Sequence, residues 1–204
     1  MKQNYQLILD NTIKEECAEK HPSLLLHACC APCSSYVLEY LSEYFDITLF
    51  FYNPNISPKK ENDYRSEELI RLVSEMGLSE KIKVLLGAYE PQRFYEIASG
   101  LEYLPEGGAR CAKCYELRLS ETARIAAEGG YDFFCTTLSI SPYKNAEWLN
   151  SIGTALGEKY GVRYLVSDFK KRNGYKRSCE LSVTYGLYRQ DYCGCEFSKI
   201  KKEG

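Results

Sequence analysis

Ten of the 204 residues are cysteines, and seven of them fall in three tight groups. Cys29, Cys30 and Cys33 form C-C-x-x-C, Cys111 and Cys114 form C-x-x-C, and Cys193 and Cys195 form C-x-C. Ligands so close in sequence share one turn, so their sulfurs converge. Thiolates are soft donors that suit zinc or iron–sulfur clusters rather than magnesium or calcium. A closed zinc site takes four ligands, usually from two short clusters. Seven thiols exceed that and leave some for redox work, and the adjacent pair Cys29–Cys30 is unusual for a zinc knuckle. In a reducing cytosol so many cysteines point to metal or redox chemistry more than to disulfides. Cys17, Cys135 and Cys179 stand alone and read as small buried hydrophobes, Cys135 within the apolar run Phe133-Phe134-Cys135.

Other chemistries are poorly supplied. Only two histidines exist, His21 and His27, and His27 lies in an apolar run where a satisfied core histidine is the favoured reading. No Gly-rich phosphate loop and no Gly-x-Ser-x-Gly elbow is present. With 45% apolar and 26% charged residues the chain has the balance of a folded globular protein. No apolar stretch nears the roughly 18 residues that span a bilayer. The start, Met1 to Gln6, is polar and lacks a signal-peptide core, so a cytoplasmic protein without a membrane partner is expected. The net charge of −2 is uneven: residues 167–204 carry an excess of positive charge, against a negative excess before them. A basic end would meet a polyanion. From charge alone, a solvated lysine-rich tail is the plainer reading.

The elements that must position these residues alternate. Helical apolar spacing covers 3–20 until His21-Pro22 stops it. Strands are expected at 23–28, 45–52, 82–86, 132–137 and 162–166. Helices are expected at 34–44, 61–76, 91–98, 115–128, 145–160 and 175–188, with a Gly- and Pro-rich loop at 100–109 delivering Cys111 and Cys114. Such alternation predicts an α/β fold, a doubly wound, mostly parallel sheet covered on both faces. Loops at the carboxyl ends of its strands carry function, which places Cys29–Cys30, Asn53-Pro54-Asn55 and Ser139–Asn145 on one rim. No linker divides the chain, so residues 1–204 are read as one domain.

Five segments, in order, carry a family resemblance: Leu25 to Ser34, Phe51 to Ile56, Arg110 to Leu119, Thr136 to Asn145 and Tyr188 to Cys195. Together they resemble epoxyqueuosine reductases of the QueH type, the cobalamin-independent form. The resemblance runs from about Leu24 to Ser198 and leaves residues 1–22 as a variable extension. It implies the adenine-nucleotide alpha hydrolase (HUP-like) fold, with Cys29 to Cys33 in place of the ATP loop. It implies reduction of epoxyqueuosine to queuosine at the wobble position of tRNA, the last step of queuosine biosynthesis, with two electrons from an unidentified donor. It also implies a 4Fe–4S cluster ligated by Cys29, Cys30, Cys111 and Cys114. Cys193, Cys195 and Cys33 are left as a redox-active dithiol or disulfide, or as ligands to one additional iron. Asp191, Tyr143 and Lys144 become candidates for proton delivery. A wobble base must leave the anticodon stack to react, so Tyr52, Tyr143 and Tyr192 are candidate stacking partners. Asn53 joins them in substrate binding, and Lys170, Lys171, Arg172, Lys176 and Arg177 become candidate tRNA contacts.

Two other classes use the same residues. A zinc-stabilised RNA-binding protein without catalysis would be colourless, whereas a 4Fe–4S protein absorbs broadly near ~400 nm. A tRNA sulfur-transfer enzyme of the ATP-pyrophosphatase type would want a phosphate loop after the first strand, where this sequence has cysteines.

Overall fold

A computed structural model of the chain describes residues 3–199; Lys201 and Lys202 of the basic end lie outside the described residues. Five strands, β1 (Ser23–His27), β2 (Asp46–Phe51), β3 (Lys83–Leu86), β4 (Phe133–Thr136) and β5 (Arg163–Tyr164), form one sheet in the order β3-β2-β1-β4-β5. Every pairing is parallel, so the sheet expected to be mostly parallel is wholly so.

The strands are apolar on both faces because both are covered. Leu24 and Leu26 of β1 point to one side, with Leu49 of β2 and Cys135 of β4. Helices α1 (Tyr5–Glu16), α2 (Ala31–Leu41) and α3 (Lys59–Glu75) close that side through Leu9, Leu38 and Leu69, all fully buried. Leu25, Phe50 and Phe134 point to the other side. There α5 (Ala109–Glu128) and α6 (Ala146–Tyr160) bring Leu119 and Leu149. The period-2 alternation along each strand thus sorts one apolar run into two cores. Helix α4 (Pro91–Ala98) packs on α5, α7 (Gly174–Thr184) packs on α2, and a short α8 (Glu196–Lys199) ends the described residues. Gly174 opens α7 where a Cβ would stand 2.0 Å from the Phe169 carbonyl and 2.5 Å from the Tyr36 ring, so only glycine lets α7 approach α2 this closely.

Strand order reverses at β1, which lies between β2 and β4. The connection from β1 leaves toward α2, and that from β4 leaves through a 3₁₀ turn, Thr137–Ile140, toward α6. A crevice opens between them at the carboxyl ends of the strands, the usual ligand position in an open parallel sheet.

Boundaries shift by a few residues from the sequence reading, with one difference that matters. Helix α5 begins at Ala109, so Cys111 and Cys114 lie in its opening turns and not in the preceding loop. Gly108 is its N-cap, and nothing in Ala109 to Cys114 opposes helix. His27 is buried, with Nδ1 2.9 Å from Thr136 Oγ1 and Nε2 3.0 Å from the Tyr52 carbonyl. A carbonyl only accepts, so Nε2 carries the proton, and burial lowers the imidazole to about 4. It is a satisfied, neutral core histidine. Cys135 is also fully buried. Among the described residues no helix is long and apolar enough to cross a membrane.

The first helix is part of this packing. Leu9 is fully buried against α2 and the sheet, and Asp10 and Glu16 pair with Arg172 and Arg163. Leu9→Ala is expected to lower unfolding stability by roughly 2–5 kcal/mol, the cost of emptying a buried leucine site. Denaturant unfolding that leaves the midpoint unmoved would show that α1 is an appendage.

Candidate active site

The seven clustered thiols, although up to 166 residues apart in sequence, all line one cavity of about 510 Å³ in that crevice. Each group arrives by a different local device. Cys30 is the N-cap of α2 in extended conformation, its carbonyl accepting from the Ser34 amide (3.1 Å) and hydroxyl (2.8 Å). This turns Cys29, Cys30 and Cys33 onto one helix end, and their sulfurs lie within 4.8 Å of one another, with 3.7 Å between Cys29 and Cys30. Cys111 and Cys114, three apart, share a face of the first turns of α5. The Gly107 amide donates to Cys111 Sγ at 3.2 Å. Two helix N-termini therefore converge on the cavity.

Cys193 and Cys195 come from the turn after α7. Gly194 between them has φ +97°, a left-handed conformation, and a Cβ there would stand 2.8 Å from Ile56. Its carbonyl accepts from the Ser57 amide (3.0 Å), and Arg65 Nη1 donates to the Cys193 carbonyl (3.3 Å). The turn is thereby pinned to the loop after β2. All ten cysteines are free thiols, so the disulfide, one of the roles left open for Cys193 and Cys195, is not formed.

Three cations stand among the sulfurs. Arg118, buried one turn below Cys114, donates to the Cys114 carbonyl (3.3 Å) and to Asn53 Oδ1 (3.2 Å), and its charge meets Cys114, Cys29 and Cys193. Arg65 donates through Nε to Glu61 (2.8 Å) and faces Cys30. Lys144 pairs with Glu106 at 2.6 Å. Burial alone would lower its ammonium, but Cys193, Tyr115 and Glu106 together raise it, so it stays charged.

In this field the thiols differ. Hydrogen bonds from Cys30 and Cys33 hold Cys29 well below the ordinary thiol range, while the same bonds raise Cys33 and take Cys30 to about 12. The Cys195 thiol brings Cys193 down to about 5, helped by Lys144, and is itself raised. Burial raises Cys114. Each group at the two sides of the cavity thus holds one easily formed thiolate beside a buried cation. Donor type and number fit a thiolate-bound metal or iron–sulfur centre, with Cys29, Cys30 and Cys33 the tightest trio.

The other sequence candidates divide. Lys144, Asp191, Tyr143 and Tyr192 line the cavity. Tyr192 lies between Arg65 and Lys199, 5.2 and 4.5 Å from its ring centroid. Tyr143 stands at the mouth, 76% exposed. Tyr52 and Asn53 are buried behind the wall. Tyr52 stacks on Phe50, and its hydroxyl donates to Glu90 (3.0 Å) and accepts from Arg93 (2.9 Å). Asn53 donates to the Ala28 carbonyl (2.9 Å) and orients Arg118. None of the five basic residues 170–177 lines the cavity. Lys170 pairs with Asp168, Arg172 with Asp10, and Arg177 with Glu39 and Glu180. Arg172, Lys176 and Arg177 border a separate shallow surface hollow beside Tyr36.

Sequence reading missed Arg65 and Arg118, and placed Asn55 on the rim without a role. Asn55 is buried in the cavity wall, and its Oδ1 has no hydrogen-bond partner among the described residues. Arg118 lies inside a segment that carries the family resemblance, which was a usable signal. Arg65 sits in a charged helix whose other positions read as solvated.

A solved structure of NMN synthetase from Francisella tularensis superposes with a TM-score of 0.51 over 94% of this chain and 75% of that one, at 13% identity, which shows a shared fold. The chain is 43% identical to an epoxyqueuosine reductase QueH of Staphylococcus epidermidis, over 98% of this chain and 86% of that protein. It is 43% identical to one of Streptococcus pyogenes over 96% and 78%. Against one of Thermotoga maritima the identity is 36% over 88% and 92%. Residues 24–201 match the sequence model of the family described as epoxyqueuosine reductase QueH. With that match spanning nearly the whole chain and all seven clustered thiols inside it, this protein belongs to the QueH family of epoxyqueuosine reductases, oxidoreductases of queuosine biosynthesis.

Proposed function

We propose that this chain acts in the cytoplasm on tRNA carrying epoxyqueuosine in its anticodon and removes the epoxide oxygen as water, using two electrons and two protons. The observation that carries the reading is the meeting of seven thiols from three distant segments in one cavity at the switch point of the sheet. Cys29, Cys30, Cys111 and Cys114 would hold a 4Fe–4S cluster, and Cys193 and Cys195, with Cys33 nearby, a dithiol or one additional iron. When bound, such a centre supplies single electrons and a Lewis acid for the epoxide oxygen.

The chain's own groups do the rest. Arg118, Arg65 and Lys144 balance thiolate charge that burial would otherwise oppose. Lys144, Asp191 and Tyr143 line the cavity and would deliver protons to the departing oxygen. Asn55 Oδ1, an acceptor without a partner among the described residues, would take a hydrogen bond from a hydroxyl of the cyclopentyl ring. The family match supports tRNA as substrate, and the basic segment 170–177 would contact its backbone. The electron donor is a separate redox partner.

Mass analysis of tRNA nucleosides tests the function. In cells that have no second reductase, loss of this protein alone should make epoxyqueuosine accumulate in place of queuosine; normal queuosine would overturn the reading. Ligand roles are separable in the purified protein. Cys111→Ala should lower iron and acid-labile sulfide and abolish reduction. Cys193→Ala and Cys195→Ala, made singly, should keep broad absorbance near ~400 nm while turnover collapses. Loss of that absorbance in either would move the residue into the cluster's ligand set.

A further inference from the structure

The cavity has a volume of about 510 Å³, in the usual range of ligand sites. A wobble nucleoside that enters it leaves its neighbours in the anticodon loop at the mouth, unstacked on the side it vacated. The mouth is built from two tyrosines on different elements. Tyr143, in the connection between the 3₁₀ turn and α6, is 76% exposed, and Tyr175, on the first turn of α7, is 36% exposed. Both line the cavity. Large aromatic rings left in water cost hydration free energy; Tyr143 is mostly exposed and Tyr175 partly so. The Arg189 guanidinium lies 5.9 Å from the Tyr175 ring centroid and is fixed by a 3.0 Å hydrogen bond to Ser182 Oγ. Lys176 follows Tyr175 directly and borders the separate surface hollow.

Resting on the function proposed above, we infer that Tyr143 and Tyr175 form a stacking platform for a nucleobase flanking the target nucleoside, with Arg189 and Lys176 beside its phosphates. Stacking is tolerant of base identity because every base has a π-face, whereas the cavity reads the modified base itself. The platform replaces the stacking lost when the wobble base leaves the loop, and so holds the extruded conformation.

An anticodon stem–loop carrying epoxyqueuosine, with 2-aminopurine next to the target position, reports this directly. Wild type should bind it with a change in 2-aminopurine fluorescence. Tyr143→Ala and Tyr175→Ala should each weaken binding by about tenfold and diminish the fluorescence change. Tyr143→Phe and Tyr175→Phe, which keep the ring, should bind as wild type does, and all four should retain wild-type iron content and circular dichroism. Alanine variants that bind and report like wild type, or phenylalanine variants as weak as the alanine ones, would overturn the platform. Wild type that neither binds nor reduces the stem–loop would instead overturn the proposed function, and the platform with it.

Discussion

The arrangement depends on a positive charge held out of water. Arg118 is 4% exposed, and its hydrogen bonds go to a carbonyl and a carboxamide oxygen. A guanidinium buried on neutral partners alone would cost several kcal/mol. What it faces instead are the sulfurs of Cys114, Cys29 and Cys193, one from each of the three cysteine groups, of which Cys29 and Cys193 form thiolates easily. The converse holds for the sulfurs: thiolates cannot persist in a buried cavity without a nearby cation. Cation and sulfurs therefore require one another, and this mutual requirement makes a site of three segments far apart in sequence. Asn53 connects the arrangement to the sheet. Its amide is anchored on the Ala28 carbonyl at the end of β1, and its oxygen aims Arg118.

Arg65 and Lys144 repeat the principle on the remaining sides. Arg65 spans from Glu61 on α3 to the Cys193 carbonyl, so the last cysteine turn is held by a helix from the other end of the chain. Lys144 is fixed by Glu106 across the mouth and faces Cys193. Each cation has a carboxylate or amide that fixes its direction and a sulfur that shares its field. Positions are thus set before any metal or substrate arrives, which is what a site that must exclude water requires.

The strands, most helices and the rim on which function gathers were legible in the sequence, because alternation of apolar runs with 3.6-period segments is dictated by two covered sheet faces. The cysteine groups were legible for the same reason that they work: closely spaced thiols announce convergence. The start of α5 was not, since glycine and proline at 100–108 look like loop and nothing local says where the loop stops. Nor were Arg65 and Arg118. A buried arginine on a charged helix has the same letter as a solvated one, and only tertiary packing separates them.

Tyr52 and Asn53 show the limit of reading roles from a motif. Both belong to a segment that carries the family resemblance, yet neither borders the cavity. Tyr52 offers its carbonyl to His27 and its hydroxyl to Glu90, tying β2 to β1 and to the start of α4. Asn53 joins β1 to Arg118. The Tyr52 carbonyl and the Asn53 amide are spent on buried groups, where an unpaired donor or acceptor is costly, and the Tyr52 hydroxyl on the partly exposed Glu90 and Arg93. A segment can therefore be as specific as Phe51 to Ile56 because it supports a site from behind. The residue of that segment that does border the cavity is Asn55, whose oxygen, unpartnered among the described residues, marks where support ends and recognition begins.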